Sequence, residues 1–366
     1  MIHPSRRHFL TIPFLIITSL PAVTAQETNR YVTGTKPLPP LPEGEGVFTL
    51  VIIPDTQSYL GRNSELTPDS RDPVTNPNLA AQVKWILDHR KDQRIAFVSH
   101  VGDIVENDRA EEWDVASQHL DTLRGMVPFS LTVGNHDMDN DGEANLFQKY
   151  FPASDFASYP WYLGSYTHTR RNQSISANNV NSAQIFNAGG MDFLHLSLEC
   201  NAPDDVVAWA NDLLTKHATR RALITTHMDL GIIRKPKTNE GFIHDPKGRM
   251  QWVKIHGKRG NTGEQLWDKL YRRHANLAFV FSGDQSRVTT LQEIRTGDHG
   301  NPVVSLLSDY LSLSVLRLMR FVPSANEVRV LSYDVIKHLL VEDTTYVHDV
   351  SRHQFSIPYR MAKALP

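Results

Sequence analysis

Three short segments in the first half of the chain place oxygen or nitrogen donors directly after an apolar run. They are Asp55-Thr56-Gln57 after residues 48–53, Gly102-Asp103-Ile104-Val105-Glu106-Asn107 after 94–101, and Gly134-Asn135-His136-Asp137 after 129–133. The runs are largely β-branched, aromatic or otherwise apolar, and helix-length stretches separate them, as in successive βα units. Ligands in open α/β sheets gather at the carboxyl ends of such strands. The pattern therefore predicts a crevice lined by side chains that leave parallel strands. A carboxylate in each of the first two segments, with Asn and His in the third, supplies hard and borderline donors for divalent cations.

These ordered blocks, followed by an isolated His227, resemble the calcineurin-like metallophosphoesterases over about residues 48–286. The resemblance implies a mixed α/β (α+β) fold, a two-layer β-sandwich flanked by helices. It also implies two divalent metal ions (Mn, Mg, Fe, Ca or Zn) about 3.5–4 Å apart. By the same resemblance Asp103 bridges the ions, Asp55 and Gln57 belong to one, and Asn135 and His227 to the other. His136 is matched to the group that stabilises or protonates the leaving oxygen, and Asp137 is expected to orient its imidazole. Asn107 falls to fixing the loop or facing substrate.

This chain departs from the family pattern in two places. Gln57 stands where His is usual, and Gly283-Asp284-Gln285-Ser286 replaces Gly-His-x-His. Asp284 can still serve the Asn135/His227 ion. Ser286 is a poor substitute for imidazole, which leaves the Asp55/Gln57 ion the more weakly held. An oxygen-rich donor set favours Mn²⁺, Mg²⁺ or Ca²⁺ over Zn²⁺. Arg287, beside the altered turn, is a candidate to bind the substrate phosphate.

The 366 residues suffice for one large α/β domain. Forty acidic against thirty-eight basic side chains give a formal charge of −2, so nothing electrostatic points to nucleic acid. One cysteine, Cys200, excludes an intrachain disulfide and a Cys-rich metal site. Ser5-Arg6-Arg7-His8-Phe9-Leu10, an apolar stretch over 12–20 and Val23-Thr24-Ala25 resemble a twin-arginine signal cleaved after Ala25. Such a signal implies bacterial export with no stable membrane anchor afterwards. Residues 26–46, with a proline-rich run at 37–42, read as an extended linker, and 47–366 as the phosphoesterase domain.

Within that domain, helices are expected near 78–91, 111–123, 203–216 and 263–274, and strands at 192–198, 221–226 and 277–281. Excursions at 138–190 and 230–261 are too long for ordinary connections and are expected to shape a flap and a substrate-facing loop. The alternating apolar segments beyond Arg287 favour antiparallel strands. The reading is an exported hydrolase of small phosphomonoesters or phosphodiesters using a metal-bound hydroxide. The alternative, suggested by the lost histidines, is an impaired relative that binds phosphate or a polyanion.

Overall fold

Strand β1 (Phe48–Ile53) is buried on both faces, and that explains a sequence that is apolar except at Thr49. Phe48, Leu50 and Ile52 point into the interior of a sandwich, while Val51 and Ile53 meet helices on the other side. The computed structural model describes residues 30–167 and 178–361. The signal-like segment 1–25 lies outside the described residues. Contacts group Tyr31–Pro366 as one unit; of the other, Met1–Arg30, only Arg30 is described.

From β1 the chain passes through α1 (Pro77–His89), β2 (Ile95–His100), α2 (Ala110–Leu120) and β3 (Phe129–Leu131). These three strands are parallel. A second sheet is then built from β4 (Tyr162–Ser165), β5 (Ser182–Ala188), β6 (Met191–Leu198), β7 (Arg221–Thr226), β8 (Leu277–Ser282), β9 (Thr290–Thr296) and β10 (Pro302–Ser308). The chain finally returns to the first sheet as β11 (Val315–Val322), β12 (Glu327–Asp334), β13 (Leu339–Leu340) and β14 (Gln354–Pro358). The strand orders are β13-β12-β11-β1-β2-β3, with β14 also on β12, and β9-β10-β8-β7-β6-β5-β4.

The two sheets meet through an apolar interior that is rich in phenylalanine. Phe48 stacks on Phe321 at 4.6 Å, and Phe186 stacks on Phe193 at 4.9 Å. Helices α1 and α2 bury Leu79, Val83, Ile86 and Trp113 against the outer face of the first sheet. On the second sheet α4 (Asp204–Lys216) and α5 (Gly263–Lys269) do the same with Val206, Ala210, Leu214 and Leu266. This is the expected helix-flanked two-layer sandwich.

Three expectations are corrected. Strand β10 is not purely antiparallel: it pairs antiparallel with β9 but parallel with β8. β9, an edge strand carrying half-buried Gln292, Glu293 and Arg295, had no apolar run to reveal it. In the excursion 138–190 the described residues, 138–167 and 178–190, are largely scaffold. Its α3 (Asn145–Tyr150) buries Phe147 in the same core as Trp113 of α2, and β5 forms a hairpin with β6 across Gly189-Gly190. The run 37–42 is held rather than loose: Leu38 packs on the core, and Arg320 donates to the Pro39 and Pro40 carbonyls at 2.8 and 3.1 Å.

Candidate metal centre

Six strand ends converge on one crevice. β1, β2 and β3 deliver Asp55, Asp103 and Asn135 from the first sheet. β7, β8 and β10, mutually parallel, deliver His227, Asp284 and Asp309 from the second. Ligating atoms of Asp55, Asp103 and His227 lie within 4.8 Å of one another, and all three residues are buried.

Close backbone approach makes this possible. A Cβ on Gly134 would sit 2.2 Å from Asp103 Oδ1, and one on Gly283 would sit 2.1 Å from Asp55 Oδ1. The glycines preceding Asn135 and Asp284 are therefore needed for space. Asp103 and Asp284 themselves adopt left-handed backbone, with φ of 51° and 72°. That conformation costs a non-glycine residue free energy and turns the side chain off the strand direction into the crevice.

His227 Nδ1 donates to the Val101 carbonyl at 3.0 Å, which fixes the ring and leaves Nε2 facing the carboxylates. Nε2 lies 3.1 Å from Asp103 Oδ1 and 3.7 Å from Asp284 Oδ1, without hydrogen-bond alignment. Asp55 Oδ2 accepts from the Asp284 backbone N–H at 3.0 Å, whereas Asp55 Oδ1 is buried with no hydrogen-bond partner among the described residues. Buried polar atoms are rarely left in this condition. Two of them, an anionic oxygen and an imidazole nitrogen, face one pocket, and that is the donor arrangement a divalent cation satisfies.

The electrostatics agree. Burial, then the carboxylates of Asp309 and Asp103, raise Asp55 well above the usual carboxylate range despite His227. Burial together with Asp284 and Asp103 pushes Asp309 up to about 7. Burial also works against the Asp103 carboxylate, yet His227 and His136 bring it down to about 2. Burial opposes an imidazolium at His227, and Asp103, Asp55 and Asp284 overcome it and raise that group well above its ordinary value. The crevice thus has a strongly negative field that draws in positive charge.

Several sequence assignments change in role. Asp137 does not orient His136. Its Oδ1 accepts from Ile104 N and Val105 N at 2.8 and 3.0 Å, and its Oδ2 from Gly134 N at 2.8 Å, so it clamps the second motif to the third. The His136 ring is instead held by Glu106: Nδ1 lies 2.7 Å from the Glu106 carbonyl and 3.6 Å from its carboxylate. Asn107 is spent on Glu112, which accepts from its backbone N–H at 2.9 Å and from its amide at 3.4 Å. It therefore fixes the loop. The Arg287 guanidinium stacks over the Phe242 ring at 5.3 Å. Gln57 is half-buried beside Asp55, its carbonyl accepting from Tyr59 N at 3.0 Å. Ser286 is half-buried, and its carbonyl accepts from Thr289 Oγ1 at 2.9 Å.

Three groups escaped the sequence reading. Glu106 sat inside a recognised motif without a role. Asp309 follows an apolar run as Asp55 does, a signal that was present. Lys254 has no motif at all. One end of the Asn135 amide lies 2.6 Å from Asp284 Oδ1 and the other 2.6 Å from Lys254 Nζ. In the orientation that satisfies both, Asn135 donates to Asp284 and accepts from the lysine. The Lys254 and Ile255 backbone N–H groups donate to Asn201 Oδ1 at 2.9 and 3.2 Å, which anchors the loop that carries this cation.

The model of the calcineurin-like phosphoesterase family matches residues 48–287. The chain belongs to that family. It is 26% identical over 305 residues to the uncharacterized protein YvnB of Bacillus subtilis, covering 80% of this chain and 20% of that one. It thus spans about a fifth of the length of that curated relative. Among solved structures, a 5'-nucleotidase precursor from Thermus thermophilus is 13% identical with a TM-score of 0.43, covering 86% of this chain and 54% of that one. The NAD nucleotidase of Haemophilus influenzae is 11% identical with a TM-score of 0.43, covering 79% and 47%.

Proposed function

We propose that the crevice holds two divalent cations and hydrolyses small phosphomonoesters or phosphodiesters, and that the protein is exported through its twin-arginine segment. The observation that carries the reading of the site is the meeting of Asp55 Oδ1 and His227 Nε2, both buried and without aligned partners, around Asp103. Asp103, facing both walls, is the bridging candidate. Asp55 and Gln57 would serve one ion; His227, Asp284 and Asn135, the last by rotating its amide oxygen from Lys254 toward the crevice, would serve the other. Bound divalent ions would neutralise phosphate charge and lower the pKa of a water nucleophile. Manganese fits this oxygen-rich set better than zinc.

The chain's own side chains would supply the rest. His136 is about one-third exposed at the mouth of the crevice. Burial lowers it, but Asp103 and the Glu106 carbonyl and carboxylate outweigh that effect and raise it. It is thus suited to hold a proton at Nε2 for the leaving oxygen. Lys254 would bind a non-bridging phosphate oxygen, and its loop would help set substrate choice. No helix among the described residues is long and apolar enough to cross a membrane.

The test is hydrolysis of p-nitrophenyl phosphate and bis(p-nitrophenyl) phosphate after Mn²⁺ loading, before and after chelation, with His136→Ala alongside. Turnover lost on chelation and in the variant, with metal content of the variant unchanged, supports the reading. Metal-independent turnover, or equal rates in His136→Ala, would refute it.

A further inference from the structure

Asp309 is left without a task by the reading above, and its position is unusual for a carboxylate that only shapes a turn. It is 3% exposed. Ser282 pairs with Leu307 across the parallel strands β8 and β10, so Asp284 and Asp309, each two residues further on, leave the sheet level with each other. Asp309 Oδ1 accepts from Leu311 N at 3.2 Å, a bond that Asn or Ser would make without burying a charge.

The loop after Asp309 is seated on the Asp55 side of the crevice. The Ser312 carbonyl accepts from Ser58 Oγ and, at 3.1 Å, from Asn78 Nδ2. The Ser58 and Asn78 segments follow Asp55 in the chain. That is the side on which Ser286 provides no imidazole. It is also where Asp55 Oδ1 is buried with no partner among the described residues.

We propose that Asp309 is a ligand of the cation on the Asp55 side, a carboxylate standing in for the missing histidine. The proposal rests on the two-cation reading. It makes this subsite one of oxygen donors, Asp55, Gln57, Asp103 and Asp309, suited to Mn²⁺, Mg²⁺ or Ca²⁺.

The test is Mn²⁺ stoichiometry and affinity, by elemental analysis and calorimetry, in the wild-type chain, Asp309→Asn, Asp309→His and Asp103→Ala. Asp309→Asn retains the oxygen that accepts from Leu311 and removes a charge from a crowded acidic pocket. Its metal-free melting temperature should therefore equal or exceed that of wild type. One of two Mn²⁺ ions weakened by about tenfold to a hundredfold in Asp309→Asn, with the other unchanged, supports the proposal. Asp309→His, a second probe should the first fold poorly, should move that subsite's preference toward Zn²⁺. Wild-type stoichiometry and affinity in Asp309→Asn, or no change of preference in Asp309→His, would overturn the role of Asp309 alone. Absence of bound Mn²⁺ from wild type, or binding unchanged in Asp103→Ala, would overturn the site itself and this proposal with it.

Discussion

The two walls of the crevice are built on different terms. On the first-sheet wall the donors and their supports belong to the same short motifs: Asp137 clamps the Gly102 and Gly134 turns together, and Gly134 makes room for Asp103. On the second-sheet wall each donor comes from a separate turn. His227 is fixed by Val101, Asp284 by the Asp55 carboxylate, and Asp309 by its own loop. A wall whose parts support one another resists substitution piece by piece, whereas a wall of independent turns can exchange a donor and keep its shape. The altered residues of this chain lie mostly on the second kind of wall.

Removing Asp103, which faces both walls, should have the largest effect. Asp103→Ala is expected to lower turnover by on the order of 10³-fold and to abolish tight metal binding, as rates and elemental analysis would show. His136→Ala, on the motif-built wall, should lower kcat by about 10²–10⁴-fold while metal content stays at the wild-type value. If metal is lost as well, the two effects do not separate and the comparison fails.

Gly283→Ala forces a methyl group against Asp55. A loss of roughly 1–3 kcal/mol in chemical denaturation is expected, with weakened metal binding. Were the second wall as adaptable at its glycine as at its donors, stability would be unchanged. Lys254→Ala should raise KM by about tenfold with kcat nearly intact, which kinetics on p-nitrophenyl phosphate would reveal.

The last effect, the smallest near neutral pH, concerns the support beneath the second wall. His195 is fully buried, held by Gln184 and Thr225 at 2.9 and 2.8 Å, and burial lowers its pKa to about 3. The unfolded chain protonates this group near 6.5 and the folded chain does not. Stability should therefore fall as pH drops below about 6.5 toward 3, by up to about 1.4 kcal/mol per pH unit. Melting curves across that range should show a shallower acid slope in His195→Gln.

What could be read from the sequence follows the same division. Asp55, Asp103, Asn135 and His227 were recognisable because each follows within two residues of the end of a largely apolar run. The sandwich itself followed from those strands. Asp309 obeys the same rule, but lies past β9, a polar edge strand that hides the return of β10 to the sheet. The role of Asp137 was misread because adjacency in sequence was taken for contact, whereas its side chain turns away from His136 to three backbone N–H groups. Lys254 reaches Asn135 from a loop whose course is set by Asn201, some fifty residues earlier, and no local pattern encodes that.

The first sheet also bears on how the molecule comes into being. Its central pairing joins β1 to β11, bringing Phe48 opposite Phe321, so its hydrogen-bonded order is completed only by residues synthesised long after β1. Until then β1 presents an open apolar edge, and the crevice lacks a finished floor. Assembly of such distant partners is intrinsically slow. Chains shortened before Val315 should therefore be captured by chaperones or aggregate, whatever the condition of their metal-binding motifs.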